Sequence, residues 1–67
     1  MTYTKVTTKD GRILEGAVWY YNRQSWYLTV PAVTDDLLYL RDLESAVSES
    51  GLDYLEQARL DGWDGKS

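Results

Sequence analysis

Lys9-Asp10-Gly11-Arg12-Ile13-Leu14-Glu15-Gly16 runs straight into Ala17-Val18-Trp19-Tyr20-Tyr21, and this stretch decides the fold. Asp10-Gly11 is a tight-turn signal, because Gly enters positive φ without steric cost. Arg12 to Tyr21 then reads as one long strand. Gly16 falls inside it, where a glycine marks a sharp bend or a close backbone approach. Turn, strand, mid-strand glycine and large aromatics together predict a mainly β domain. The expected form is a five-stranded, strongly bent antiparallel barrel.

The flanking sequence supplies the other strands. Tyr3 to Thr8 is rich in Thr, Tyr and Val and reads as the first strand. Asn22-Arg23-Gln24-Ser25 is a polar turn, and Trp26 to Val30 is a third strand ended by Pro31, which cannot donate to a ladder. Thr34-Asp35-Asp36 makes a polar loop tip before a fourth strand over Leu37 to Arg41. Asp42-Leu43-Glu44 reads as one helical turn, and Ser45 to Ser48 as a brief fifth strand. Leu52, Leu55 and Ala58 recur at helical spacing, which predicts a short helix over residues 51–60 with Ser50 as its cap. Such a helix is marginal alone and must dock on the barrel. Residues 1–60 thus form one domain, and 61–67 are expected as a flexible tail. Trp63 is costly to leave exposed in that tail, so it is expected to fold back beside Leu55.

Alternation sorts the strands into faces. Val6, Thr8, Leu14, Val18, Tyr20, Trp26, Leu28, Val30, Leu38, Leu40, Leu43 and Val47 are assigned to the core. Ile13, Trp19, Tyr21, Tyr27, Leu37 and Tyr39 are left facing outward. That much outward apolar surface needs a cover or a partner.

Composition narrows the chemistry. In 67 residues there are three Trp and six Tyr, no Cys and no His. A domain this small buries only about 60% of the surface its unfolded chain exposes. With no disulfide available, rings that bury about 150–250 Å² each are the natural compensation. No Cys/His metal site, Ser-His-Asp triad or Cys-His pair can exist. Asp35-Asp36, the adjacent acidic pair, reads as a solvated loop tip. The glycines open no helix after a strand at phosphate-loop spacing. Arg12, Arg23 and Arg41 lie among Tyr and Trp, and the plainer reading is salt bridges or cation–π contacts on a solvated face. No enzyme, cofactor or metal is expected. No segment approaches the roughly 20 apolar residues that span a bilayer, and no signal peptide is evident, so the expected location is cytoplasmic.

Val6-x-Thr8-Lys9-Asp10-Gly11-Arg12-x-Leu14-x-Gly16-x-Val18 resembles the first motif of the Sm-like family. Leu38-x-Leu40-Arg41-Asp42-Leu43 resembles its second motif, and Leu40 to Val47 looks like the last turn and strand of SH3-like barrels. Over residues 3–48 the resemblance implies a five-stranded bent barrel and keeps ring or dimer assembly through edge strands possible. The family places an RNA pocket on an Asp-x-x-Asn loop after the second strand, where this chain has Asn22-Arg23-Gln24-Ser25. Asp42 stands where the family has Gly.

Two classes of function follow. One is a non-enzymatic protein-interaction module that binds a protein partner or itself through the outward aromatic face, Trp19, Tyr21, Tyr27 and Tyr39 with Ile13 and Leu37. The other is a small acidic inhibitor of the phage type, presenting Asp35, Asp36, Asp42, Glu44 and Glu49 to a nucleic-acid-binding host or defence protein. An Sm-like nucleic-acid binder ranks third, because a net charge of −4 repels phosphate backbones.

Overall fold

The Asp10-Gly11 turn forms as its chemistry dictates. Gly11 sits at φ 95°, and the turn is closed by Gly11 N–H to Thr8 O at 3.1 Å and Thr8 N–H to Arg12 O at 2.9 Å. The computed structural model, which describes residues 2–67, joins β1 (Thr2–Thr8) through this turn to β2 (Ile13–Val18). There follow β3 (Tyr20–Asn22), β4 (Tyr27–Thr29), β5 (Leu38–Tyr39), a 3₁₀ turn at Leu40–Asp42, β6 (Leu43–Ser48) and α1 (Tyr54–Leu60). The strands form two antiparallel three-stranded sheets, ordered β2-β1-β6 and β3-β4-β5. The chain is therefore mainly β with one short C-terminal helix. The expected five strands are six, and no ladder among the described residues closes the sheets into a barrel.

Two irregularities explain most departures from the expected faces. The long second strand breaks at Trp19, not at Gly16. Trp19 N–H donates to Thr29 O at 3.0 Å, and Tyr20 is also paired with Thr29. Two residues thus oppose one, as in a bulge, and the inward alternation shifts by one. Tyr20, assigned to the core, is 54% exposed, while Tyr21, assigned outward, packs against the core. The second irregularity lies in β6. Thr7 opposes Ser45 and Thr8 opposes Leu43, which leaves Glu44 as the extra residue. Leu43 and Ala46 both turn inward as a result, and Val47, assigned to the core, is exposed.

Gly16 lies inside β2 rather than at the break. A Cβ there would stand 2.8 Å from Val30 Cγ1 and 3.4 Å from Ala32 Cβ, so this glycine permits close approach of the chain beyond β4. The core between the sheets holds Val6, Val18, Leu28, Val30, Leu38, Leu40, Leu43 and Ala46, with Leu14 and Trp26 packed at its margin.

The helix begins later than expected. Asp53, not Ser50, is the cap: its Oδ1 accepts from Leu55 N–H at 3.0 Å and Glu56 N–H at 3.2 Å. Ser50 instead exchanges a hydroxyl hydrogen bond with Ser48. At the other end Gly62 takes φ 115°. Gly62 N–H reaches Arg59 O at 3.3 Å and Trp63 N–H reaches Ala58 O at 2.8 Å, which is a Schellman ending. That turn sends Trp63 back into the core, where it is 6% exposed beside Tyr54 and Ala58. Residues 61–67, expected as a tail, continue into a turn in which the Asp64 carboxylate accepts from Lys66 N–H and Ser67 N–H. No described helix is long and apolar enough to cross a membrane.

Candidate interaction surface

The short sheet carries the aromatic surface on its outer side. Leu28 and Leu38 point inward, so their neighbours Tyr27 and Tyr39, directly opposed across β4 and β5, point outward. The bulge at Trp19 adds Tyr20 to the same side. Three rings result in a row: Tyr20 to Tyr27 at 6.0 Å and 65°, Tyr27 to Tyr39 at 5.7 Å and 61°. Edge-to-face packing at these spacings lets each ring's positive edge meet its neighbour's negative face. Such cross-strand contacts stabilise a sheet of two- and three-residue strands that has little else on that side. The Arg41 guanidinium lies 4.6 Å from the Tyr39 centroid and ends the row at that side. Among the described residues no cation caps the Tyr20 end, and Trp19 beside it is 61% exposed.

The six residues expected to form one aromatic face therefore separate. Tyr27 and Tyr39 are in the ladder, and Trp19 stands at its open end. Tyr21 is removed from it: its ring packs edge-on against Tyr54 of the helix at 5.6 Å, and its hydroxyl donates to Asp61 Oδ2 at 3.2 Å. Arg23 holds the same carboxylate at 3.4 Å. Burial, and then the Asp61 carboxylate, push the Tyr21 phenol up to about 12. Ile13 is exposed but opposes Thr7 on the outer face of the other sheet. Leu37 is exposed just before β5.

A groove of about 590 Å³ runs beside the Tyr39 end of the ladder. Leu37, Tyr39 and Leu43 give it apolar walls, and Lys9, Arg12, Asp36 and Asp42 give it charge. Lys9 is drawn against the 3₁₀ turn by its N–H to Asp42 O at 2.9 Å. Asp36 is set by its N–H to Thr34 Oγ1 at 3.1 Å. Asp10, on the rim, accepts from the Thr8 hydroxyl and pairs with Arg12 Nε at 3.3 Å. The Thr8 hydroxyl, then the N–H and charge of Arg12, hold the Asp10 carboxyl below its ordinary range. Of the five acidic residues expected to act together, only Asp36 and Asp42 share this groove; Asp35, Glu44 and Glu49 are exposed outside it.

Sequence reasoning missed Tyr20 and Arg41 as members of the surface. A signal for Arg41 was present, since it stands two residues from Tyr39. Tyr20 was hidden by the bulge, which depends on how β2 and β3 meet their partners. Arg12 makes the salt bridge, Arg41 the cation–π contact and Arg23 both. Among the described residues no group of His, Cys, Asp or Glu is placed to hold a metal. No family model, no curated protein and no solved structure matches this chain.

Proposed function

We propose that this chain is a non-enzymatic protein-interaction module whose working surface is the Tyr20–Tyr27–Tyr39 ladder with Trp19 and Arg41. The observation that carries this reading is the ladder itself. Tyr, Trp and Arg are the residue types that dominate interface hot spots. Here they are brought to one sheet face and left open by the helix, which covers Tyr21 instead. Rings already ordered against one another lose little freedom when a partner lands on them.

The fold behind this surface is read as SH3-like. Taken as one strand bent at Trp19, β2 and β3 link the two sheets into the order β6-β1-β2/β3-β4-β5, with a 3₁₀ turn before the last strand. That order supports the Sm-like and SH3-like resemblance of residues 3–48 at the level of architecture.

The acidic-inhibitor reading stands second. Its support is that Asp36 and Asp42 share a groove with Asp10, but Lys9 and Arg12 line the same groove and offset most of that charge. Nucleic-acid binding stands third, since net charge of −4 opposes it.

The test is capture from host lysate with the wild-type chain and with Trp19→Ala and Tyr20→Ala as bait, each shown folded by circular dichroism. At least one binding event is expected to weaken tenfold or more in both variants. If every captured protein, and any self-association, is indifferent to both substitutions, the ladder is not the working surface.

A further inference from the structure

We propose that the occupant of the ladder face is a second copy of this chain, packed face to face about a two-fold axis through Tyr27. This rests on the reading of the ladder as a protein-binding surface and adds the partner's identity.

The ladder is self-complementary in spacing. Tyr27 stands 6.0 Å from Tyr20 and 5.7 Å from Tyr39, so it lies near the middle of the row. A two-fold rotation about it sets the Tyr39 end of one copy against the Tyr20 end of the other, with rings still in step. The ladder is also self-complementary in charge. One end carries a cation, Arg41, and the other carries exposed aromatic faces, Trp19 at 61% and Tyr20 at 54%. The same rotation brings each Arg41 to the uncapped rings of the partner, twice per dimer. An isologous interface needs this property: one patch that satisfies itself when turned through 180°.

Size sets the strength. A standard interface takes about 800 Å² per partner, roughly a fifth of the 4245 Å² this chain exposes. Only the exposed parts of Trp19, the three tyrosine rings and Leu37 are offered to the partner, so a weak dimer is expected, with Kd on the order of 10–100 μM. Each copy carries a net charge of −4, and two like-charged bodies repel at long range. Screening removes that repulsion while leaving the ring contacts. The dimer therefore tightens as salt rises, opposite to an association driven by opposite charges.

Sedimentation equilibrium of the purified chain from about 5 μM to 1 mM tests this, at about 50 and 500 mM sodium chloride. The expected result is a monomer–dimer equilibrium that tightens a few-fold at the higher salt. Tyr20→Ala and Arg41→Ala should each weaken it tenfold or more, and Arg41→Ala, which leaves the ring row intact, should do so with the melting temperature nearly unchanged. Arg41→Ala keeps every ring, so it remains informative if Tyr20→Ala unfolds the short sheet. A monomer at every concentration overturns the second-copy proposal and leaves the ladder to a different protein. A dimer indifferent to both variants also overturns it, and places self-association on another surface.

Discussion

The two sheets of this molecule have the same strand count and opposite characters. In the β2-β1-β6 sheet the strands run six or seven residues. Its outer face sets Lys5 against Glu15 and Thr7 between Ile13 and Ser45, a mixed surface suited to water. In the β3-β4-β5 sheet the strands run two or three residues, and the outer face is a row of Tyr. The long sheet gains its stability from ladder length and a buried inner face. The short sheet depends on ring contacts on the side that faces solvent. Both sheets bury apolar side chains inward, and the short one also turns a row of packed rings outward. On the proposed function, the difference separates a stabilising half from a recognising half. Substitutions on the inner side should cost stability alone, and substitutions on the ladder should cost association, with some stability of the short sheet lost as well where a ring is removed.

The largest effect is expected where the C-terminal turn reinforces the stabilising half. Trp63 is buried among Tyr54 and Ala58 through the Schellman turn at Gly62. Trp63→Ala should cost about 3–5 kcal/mol, the range for emptying a core site of this size. In so small a domain that approaches the whole margin of stability. Truncation after Leu60 should do the same, lowering the melting temperature by an amount independent of protein concentration. A truncated chain with unchanged melting would show that residues 61–67 are no part of the stabilising half.

Gly16 comes next, because it sets how closely β2 approaches Val30. Gly16→Val should destabilise by about 2–3 kcal/mol through overpacking, measured by urea unfolding. The Cβ alone meets Val30 Cγ1 at 2.8 Å, and Val30 is fully buried and cannot move aside. A silent substitution would break the contrast, since the inner side of the long sheet would then tolerate what a packed core does not.

Period and turn chemistry made much of the stabilising half legible. Asp10-Gly11 announced its turn, Val6 and Thr8 alternated as a buried strand does, and Leu55 and Ala58 marked the helix. The recognising half was harder to read. Its outer face was set by the bulge at Trp19, and a bulge arises from partner register rather than from any local residue pattern. The same limit, at the bulge opposite Thr7 and Thr8, reversed Val47 and Ala46. Trp26 was hidden differently: it takes φ 57°, a conformation bulky residues seldom adopt, held because its carbonyl accepts Leu40 N–H at 2.9 Å. Trp26→Gly should accordingly be more stable than Trp26→Ala by about 1 kcal/mol, a difference that urea midpoints would resolve.

The helix cap gives a smaller and sharper check on the boundary between the halves. Asp53 serves two helix N–H groups and also bridges to Val47 of the long sheet. Asp53→Ala should cost about 1 kcal/mol. Ser50→Ala should cost only a few tenths, because its hydroxyl bonds an adjacent serine and serves no helix N–H. Equal costs would restore Ser50 as the cap.

A comparably small effect concerns Tyr21, the one expected ladder ring that packs against the helix instead. Its hydroxyl bond to Asp61 ties the second sheet to the end of the helix. At neutral pH Tyr21→Phe should cost about 0.5 kcal/mol, since the bond is open to solvent. The pH dependence is more telling. The phenol ionises near 10 in an unfolded chain and at about 12 in the folded one, because burial and the Asp61 carboxylate both oppose a second negative charge there. Below pH 10 both states keep the proton, and the contribution is fully present. Between pH 10 and 12 the unfolded chain releases its proton while the folded chain holds it, so stability falls as pH rises. Tyr21→Phe should remove that part of the decline. Absorbance titration of the phenolates offers the direct reading: wild type should show an ionisation at about pH 12 that Tyr21→Phe lacks. If wild type and Tyr21→Phe show no difference there, Tyr21 is not held by Asp61, and it returns to the outward face with Tyr20, Tyr27 and Tyr39.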